Sequence, residues 1–447
     1  MSPVTDASLF TRTQAAEYRR RRRALMRIMG RDSIAVIPAA PAAVRSRDTL
    51  YRYRPNSNLL YLTGLDEPEA LLVLIPGRDK GEYILFLRDK DKDKEVWDGV
   101  RIGVDAAPGM LGADDAFPID DIDDILPGLL EGKQSIYHTL GKDQHFDVQL
   151  LNWLNISRRA RRHGGSDPDA FISLDYHINE MRLFKSRHEI AQLKRACRLS
   201  ADAHSRAMRA TRPGMAEYEL EAELVHEYTR RGGMHAFLPI VGGGSNGCIL
   251  HYIENRDKLE DGDLVLVDSG AELDWYAGDI SRTWPVNGRF SEAQAEVYDV
   301  VLEAQKEAIA AVEPGAHWNA FHEAAVKVLT RGLRDLGVLK GNLRELLRDE
   351  ASKPFYMHRT GHWLGMDVHD VGDYRIDGEW RELEPGMVLT VEPGLYLGHD
   401  RRVPKRYRGI GIRIEDNVLV TRKGAEVLSD SVPKERADIE ALMARGR

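Results

Sequence analysis

Short apolar runs bounded by charged or turn-forming residues dominate the first third of the chain. Residues 34–39, 70–76 and 83–87 are such runs, and they are rich in branched side chains. Their length and composition are typical of buried strands. Residues 144–157 instead place apolar side chains at helical spacing. We therefore predict a small α/β domain in residues 1–176.

The rest of the sequence changes between long helical segments and groups of strands. The helical patterns begin near residue 183, after residue 214, and at 291–313 and 318–337; the strand patterns follow residue 233 and return at 386–392 and 409–420. Helices grouped around an antiparallel sheet indicate an α+β domain, which we assign to residues 177–447. The polar segment 161–169 is rich in turn-forming residues and is the linker candidate.

Two strand-like segments in the C-terminal half share one pattern. Residues 262–270 and 386–394 each read glycine, five mainly apolar residues, a carboxylate, one further residue and glycine. The two carboxylates are Asp268 and Glu392. Two related half-domains that meet at one site would place acids at equivalent strand ends in this way.

Asp268 is followed by Ser269-Gly270 and then by a second strand pattern that reaches Asp279. A hairpin between the two would bring both carboxylates to the same end of the sheet. Ionised carboxylates at close range repel strongly in a low-dielectric setting. Either a cation compensates them or one of them holds a proton, and two unrelated acids at loop ends are the plainer alternative.

Histidines cluster in a second region, where His358, His362 and His369 stand in one short stretch interrupted by glycines. A lone histidine in such a stretch would more often be a core residue. Glu392 follows this stretch and ends an apolar strand pattern just before Pro393. The sequence thus offers imidazole and carboxylate groups in addition to the first pair of acids.

Glu415 and Arg413 alternate with isoleucines, so their charged side chains share one face of a strand. A carboxylate on an apolar strand needs a partner, and Arg413 alone could supply it. Glu415 completes a set of four carboxylates and one imidazole: Asp268, Asp279, His362, Glu392 and Glu415. Such a set suits two divalent ions, such as manganese, cobalt, iron or zinc, that share a water or hydroxide.

The net charge, the cysteine count and the lengths of the apolar runs argue against a nucleic-acid binder, a disulfide-rich protein and a membrane protein. The formal net charge of −8 does not favour a nucleic-acid binder, and we interpret the basic run from Arg19 to Arg23 as the solvated face of an N-terminal helix. Cys197 and Cys248 are too few for a disulfide framework and fit a cytoplasmic location. No apolar run approaches the roughly 18 residues of a membrane span, and charges interrupt the region where a signal peptide would be apolar.

The motifs around these residues resemble the pita-bread metallopeptidase family, which includes methionine aminopeptidase, prolidase and aminopeptidase P. They are Leu266-Val-Asp268-Ser-Gly270, Gly278-Asp279-Ile-Ser-Arg-Thr283, Gly361-His362-Trp-Leu-Gly365, Val391-Glu392-Pro-Gly394 and Arg413-Ile-Glu415-Asp416. Residues 56–69 and 95–101 resemble the aminopeptidase P branch, which extends the resemblance to nearly the full length. It implies a pita-bread catalytic domain after the N-terminal domain, with these metal ligands: Asp268, Asp279, His362, Glu392 and Glu415.

The resemblance also implies catalytic roles. Glu392 passes a proton from the attacking hydroxide to the leaving proline nitrogen. His251, His358 and His369 bind the substrate and stabilise the tetrahedral intermediate, which is a role typically worth roughly 2.7–4 kcal/mol of the barrier. Without the resemblance, His251 would equally well be a structural residue.

Two further residues are assigned to substrate binding. Arg413 resembles the arginine that supports Glu415 and shapes the pocket. Trp97, which we place in a loop after a charged run, is interpreted as an interface or substrate-contacting residue, with local packing as the alternative. Relatives are usually dimers or tetramers, so we expect a homo-oligomer.

The expected function is release of the N-terminal residue from peptides with proline in the second position. A hydroxide bridging two divalent metals, with manganese foremost, would attack the peptide carbonyl. Prolidase is the alternative, because the motifs near the metals do not separate the two activities. Creatinase-like enzymes and metal-free binding modules lack the complete ligand set. The expected partners are peptides, and neither nucleic acid nor a membrane.

Overall fold

The computed structural model describes residues 10–160 and 167–446. The chain forms two compact units, Met1–Met181 and Arg182–Arg447. The predicted domain boundary between residues 176 and 177 stays a prediction, and most of the predicted linker, residues 161–166, lies outside the described residues. Among the described helices, none combines the length and apolar content needed to cross a bilayer.

The N-terminal unit is built on a mixed sheet. Its strands are β1 (Ser33–Pro38), β2 (Val44–Ser46), β3 (Thr49–Leu50), β4 (Leu71–Leu74), β5 (Tyr83–Leu87), β6 (Asp115–Pro118), β7 (Ser135–Tyr137) and β8 (Ala170–Ile172). The main sheet has the order β6-β5-β4-β1-β7-β8, and β2 and β3 form a separate pair. The three predicted apolar runs are thus β1, β4 and β5, which lie side by side and are almost entirely buried.

Helices accompany this sheet along the chain. They are α1 (Arg12–Met29), α2 (Ser57–Thr63), α3 (Lys92–Asp98), α4 (Ala107–Leu111), α5 (Ile122–Leu130), α6 (Gln144–Ala160) and α7 (Leu174–Leu183), with a 3-10 turn at Ile119–Asp121. The predicted helix at residues 144–157 is α6. Its apolar face, which includes Leu150 and Trp153, packs in the same core as Ile34 and Phe86 of the sheet.

The basic run on α1 is not a uniformly solvated face, and that interpretation is wrong for two of its arginines. Arg21 and Arg22 are buried, and they donate to the carbonyl oxygens of Tyr61 and Leu62 at 2.9 and 2.8 Å. Arg21 also lies 3.9 Å from the ring centre of Tyr61. These arginines therefore anchor the helix, because carbonyl bonds and ring faces replace the water that a buried guanidinium loses.

The C-terminal unit contains short antiparallel sheets. Its strands are β9 (Met234–His235), β10 (Ile240–Gly243), β11 (Leu264–Ser269), β12 (Ala271–Leu273), β13 (Tyr276–Ala277), β14 (Ile280–Pro285), β15 (Arg375–Ile376), β16 (Glu379–Trp380), β17 (Val388–Val391), β18 (Gly394–Leu397), β19 (Ile410–Arg413), β20 (Asp416–Thr421) and β21 (Gly424–Val427). β11 lies between β10 and β14, and β20 lies between β17 and β21.

Long helices cover these sheets. They are α8 (Arg187–Ala210), α9 (Glu217–Arg230), α10 (Glu292–Ala310), α11 (Ala320–Asp335), α12 (Leu343–Arg348) and α13 (Arg436–Ala444), with 3-10 turns at Gly244–Cys248 and Lys405–Tyr407. α8 begins with a capping box, in which Ser186 accepts from the Glu189 amide and Glu189 accepts from the Ser186 amide. The predicted helix at 318–337 is two residues longer than α11 at each end.

The internal repeat predicted from sequence corresponds to two similar strand pairs. β11 carries Asp268 near its end and pairs with β14, which Asp279 immediately precedes. β17 is followed by Glu392 and pairs with β20, which Glu415 immediately precedes. Each pair therefore has one acid where its first strand ends and another where its second strand begins.

Glycine allows the first strand pair to close tightly. A Cβ added at Gly270 would lie 1.7 Å from the carbonyl oxygen of Gly278, whereas one added at Gly398 would meet nothing within 4 Å. We expect Gly270→Ala to lower the free energy of unfolding by about 1–3 kcal/mol or more, because the backbone must move to relieve the clash of the new Cβ with the Gly278 carbonyl oxygen. Gly398→Ala is the control and should match the wild type in urea denaturation. Equal stability of both variants would contradict the tight closure.

Candidate metal centre

The first pair of acids lies at one end of the β11–β14 pair. Asp268 is opposite Ser281 in the register of these strands. Asp279 is buried, and its backbone amide donates to the side-chain oxygen of Asn417 at 3.0 Å. The hairpin predicted from the sequence therefore does bring the two carboxylates to the same end of the sheet.

The second pair of acids occupies the equivalent end of β17 and β20. Val391 is opposite Asp416, so Glu392 and Glu415 flank the last register pair of these strands. Glu415 is 2% exposed. Its Oε2 atom accepts from the Ser281 hydroxyl at 2.8 Å, and its backbone amide donates to the Ser281 carbonyl at 3.0 Å. Ser281 thus joins the second pair of acids to the first strand pair.

His362 lies among these acids with one ring nitrogen directed at them. Its Nδ1 is 2.9 Å from the carbonyl oxygen of Trp363 and donates to it, which leaves Nε2 as the ring nitrogen that could bind a metal ion. Nε2 is 3.4 Å from Asp279 Oδ2 and 3.7 Å from Glu392 Oε1. One ligand atom from each of Asp279, His362 and Glu415 lies within 4.8 Å of the others, which is a geometry that can hold a metal ion.

The crowding of the acids shows in their pKa values. Burial, and then the charge of Asp268, raise the pKa of Asp279 well above its ordinary value. Burial, and then the charge of Asp279, raise the pKa of Glu415 in the same way. Burial also raises the pKa of Glu392. The positive charge of Arg413 lowers each of these pKa values, but it does not cancel the effects of burial and of the neighbouring acids.

The residues present fit divalent cations. Asp268 Oδ1 is buried and has no hydrogen-bond partner among the residues that the structure describes, although such atoms are normally satisfied. Oxygen-rich donors with one imidazole are the ligands that manganese, zinc, iron and cobalt accept. Cations at this position would satisfy Asp268 Oδ1 and offset the repulsion between the acids.

Arg413 connects three residues of the site. Its guanidinium donates to Asp268 Oδ2 at 2.7 Å, to the Ser281 hydroxyl at 2.8 Å and to the Tyr396 hydroxyl at 2.9 Å. The alternative that Arg413 is the direct partner of Glu415 is wrong: it forms its ion pair with Asp268 and reaches Glu415 through Ser281. One guanidinium therefore braces both pairs of acids.

A cavity of about 850 Å³ opens onto the acids, and the three other predicted histidines all line it. His251 and His369 are exposed, and the ring centre of His369 is 4.2 Å from that of His362. His358 is held more tightly. Its Nδ1 is 2.8 Å from the Arg359 carbonyl and its Nε2 is 2.8 Å from the Tyr396 hydroxyl. Burial lowers the pKa of His358 to about 3, so its ring is neutral.

Trp97 belongs to the N-terminal unit and is 87% exposed. It lies on the short helix α3, not in a loop as the sequence was interpreted. Val96 and Val100 beside it are exposed to a similar degree. A packing role for Trp97 within the described part of its own unit is therefore not supported.

Sequence reasoning missed two residues that hold the acids in place. Asn417 accepts from the Asp279 amide and donates to the Asp279 carbonyl, so one side chain makes both bonds that a neighbouring strand would make. Arg282, which is fully buried, donates to the Glu415 carbonyl and to Asp416. Both are polar residues in apolar strands next to candidate ligands, and this signal could have identified them.

The model of metallopeptidase family M24 matches residues 191–422, and that of the aminopeptidase P N-terminal domain matches residues 18–137. The chain belongs to metallopeptidase family M24. The predicted family resemblance and the fold class, an N-terminal α/β domain followed by a pita-bread catalytic domain, are thereby confirmed.

Three relatives of this M24 chain are similar along almost their whole length. Xaa-Pro aminopeptidase of Escherichia coli is 48% identical over 433 residues, which cover 96% of this chain and 98% of the relative. Xaa-Pro aminopeptidase of Haemophilus influenzae is 42% identical over 435 residues, which cover 96% and 97%. The structure of aminopeptidase PepP of Pseudomonas aeruginosa has a TM-score of 0.96 at 54% identity and covers 97% of this chain and 98% of that one.

The bonds from Asn417 to Asp279 generate a prediction about metal binding. Asn417→Ala frees the backbone of Asp279, and we expect divalent-metal affinity to fall about 10- to 100-fold, as it does when groups behind a ligand are removed. Isothermal titration calorimetry measures this. Cys197→Ala is the control, because the Cys197 thiol contacts the same side-chain oxygen at 3.0 Å and makes no bond to Asp279.

Asn417→Asp replaces the alanine variant if that variant does not fold. The aspartate keeps the shape of the asparagine side chain and loses the N–H donor to the Asp279 carbonyl. Circular dichroism establishes folding in each case. Wild-type metal affinity in a folded Asn417 variant would show that this side chain does not position Asp279.

Proposed function

We propose that the protein is a metal-dependent aminopeptidase that releases the N-terminal residue from peptides with proline in the second position. The observation that carries this proposal is the convergence of four carboxylates and His362 on one cavity of an M24 chain. The names of the relatives, Xaa-Pro aminopeptidases, support the proline preference. Prolidase activity is the alternative that the experiment below separates.

The proposed ligands are those of the sequence analysis: Asp268, Asp279, His362, Glu392 and Glu415. We propose two divalent ions, with manganese foremost and cobalt, zinc or iron as alternatives, because four negative charges balance two such cations. Bound metals supply Lewis-acid polarisation of the carbonyl and make water acidic enough to attack at neutral pH. Zinc is present in a product complex of the Escherichia coli enzyme.

Glu392 is the proposed proton carrier. Its Oε2 atom is 3.7 Å from His358 Nδ1, and its Oε1 atom accepts from the Thr390 hydroxyl at 3.4 Å. Because burial raises its pKa, this carboxylate can hold a proton between two steps. It takes the proton from the attacking water and gives it to the proline nitrogen as the carbon–nitrogen bond breaks.

The other histidines are proposed to handle the substrate. His251 and His369 are exposed in the cavity and can donate to the carbonyl oxygen as negative charge develops there. His358 acts indirectly, because its two ring nitrogens already contact the Arg359 carbonyl and the Tyr396 hydroxyl. Tyr396 also accepts from Arg413, so His358 and Arg413, which both line the cavity, together orient this buried hydroxyl.

The site can accept proline because it does not require an N–H group on the bond that is cleaved. The bond to proline has no N–H, and many peptidases would use that hydrogen to position the substrate. Here the histidines, and the metals that the acids and His362 would hold, would bind the carbonyl and the amine. Apolar side chains offer a surface for the ring: Phe237, Leu250, Ile253, Trp318, Val368 and Tyr374. Each methylene that fits such a surface contributes roughly 1–3 kcal/mol.

Hydrolysis of matched peptides with and without manganese tests the proposal. We expect Val-Pro-Leu to be cleaved only when metal is present, and kcat/KM for Val-Ala-Leu to be at least tenfold lower. Cleavage of Val-Pro but not Val-Pro-Leu would establish the prolidase alternative. Equal rates for the proline and alanine peptides would leave a two-metal peptidase without the proline preference.

We also propose a homo-oligomer in the cytoplasm. Three neighbouring apolar side chains on and after α3, Val96, Trp97 and Val100, are each more than 80% exposed, which is typical of an interface. In this assembly Trp97 would bury its ring against a second copy of the chain or the substrate bound there. The cytoplasmic proposal is supported by two cysteines that are both free thiols.

Light scattering at micromolar concentration tests the assembly. We expect the wild type to be a dimer or tetramer and Trp97→Ser to shift toward a smaller species, because the ring's buried area is lost. Tyr218→Ser removes another aromatic that is 58% exposed and should not change the assembly. A monomeric wild type, or an unchanged Trp97 variant, would contradict the proposed interface.

A further inference from the structure

A second arginine lines the cavity and has no part in the metal centre. Arg359 follows His358 in the chain and contributes to the cavity wall together with Trp318 and Trp380. Its side chain is exposed, so it stands at the solvent side of the cavity. Arg413, by contrast, is 3% exposed and is engaged by Asp268, Ser281 and Tyr396.

Neighbouring residues hold the Arg359 guanidinium in position. Its Nη2 donates to Asn319 Oδ1, and Asn319 Nδ2 in turn donates to Glu323 Oε1 at 2.6 Å. The guanidinium carbon lies 5.2 Å from the ring centre of Trp380. An arginine held by an amide and by an aromatic ring loses little further entropy when it binds a ligand.

The charge of Arg359 is not neutralised by an ion pair in the part of the chain that the structure describes. One of its N–H groups bonds to a neutral amide, which leaves other donors for a ligand. In the metal-loaded enzyme two divalent cations would balance the four acids deeper in the same cavity, so Arg359 adds positive charge at the cavity mouth. Arg359 is therefore placed to attract a substrate that carries a negative charge beyond its scissile bond.

We propose that Arg359 binds the free α-carboxylate of the residue that follows proline, which makes the enzyme selective for short peptides. Guanidinium and carboxylate match as a pair of parallel hydrogen bonds, whereas an internal peptide bond at the same place carries no charge. This inference rests on the proposed function. An acidic side chain at that substrate position presents the same chemistry, and the experiment separates the two sources.

The test compares kcat/KM for Val-Pro-Leu, Val-Pro-Leu-amide and Val-Pro-Glu-amide in the manganese-loaded enzyme. We expect the wild type to prefer the free acid to the amide by about fivefold, the upper end of the range for a solvent-exposed ion pair. Val-Pro-Glu-amide should behave like Val-Pro-Leu-amide if the terminal carboxylate is the group bound. Rates for Val-Pro-Glu-amide equal to those for the free acid would show that an acidic side chain is accepted equally well, and would overturn the proposed selectivity for short peptides.

Two variants test whether Arg359 causes the preference for the free acid over the amide. Arg359→Ala should bring the ratio of acid to amide close to one with unchanged metal content, and Arg359→Lys should retain part of it. Arg375→Ala is the matched control: Arg375 lies 4.0 Å from the same Trp380 ring but does not line the cavity. The inference is overturned if the wild type does not distinguish the two peptides or if Arg359→Ala keeps the wild-type ratio.

Calorimetry with Pro-Leu and Pro-Leu-amide separates this inference from the proposed function, because binding of these product-like dipeptides needs no turnover. Tighter binding of the free acid that disappears in Arg359→Ala supports the inference even if no peptide is cleaved. Equal binding of acid and amide overturns it, whether or not the protein proves to be a proline-specific aminopeptidase.

Discussion

Mutual repulsion among four carboxylates in one cavity is the constraint on which the C-terminal unit depends. Asp279 and Glu415 are almost inaccessible to water, and burial raises the pKa of both. The charges of Asp268 and Glu392 raise the pKa of Asp279 further, and the charge of Asp279 raises that of Glu415. Bringing such groups together costs free energy that the surrounding structure has to offset. The site is stable only if the backbone fixes the acids and cations compensate them.

The C-terminal unit has two halves, the β11–β14 pair and the β17–β20 pair, and both contribute bonds that fix these acids. Asn417, on β20, bonds to both backbone groups of Asp279 in front of β14. Arg282 and Ser281, on β14, bond to the carbonyl and the amide of Glu415 in front of β20. Each half therefore holds an acid of the other. If the halves separated, both acids would lose their support at once, so folding and assembly of the site are coupled.

The sequence was informative where chemistry depends on local pattern. The acids at strand ends and the duplicated glycine-bounded strand were visible from their spacing, because register fixes which residues share an end. Contacts between distant segments were not visible. Nothing near Arg413 indicated that it pairs with Asp268, and nothing near Arg21 indicated the carbonyl oxygens that permit its burial. A run of five arginines looks the same in sequence whether two of them are buried or none.

Strand ends and irregular segments contribute different parts of the site. The proposed metal ligands stand at strand ends, or at His362 beside a β-bridge from Trp363 to Leu389, where the backbone is fixed by the sheet. His251, Arg359 and His369 lie in irregular segments at the cavity wall. Metals need ligand positions held within fractions of an ångström, whereas irregular segments tolerate changes of sequence. Substitutions in these segments can therefore change which peptide is accepted while the metal ligands stay in place.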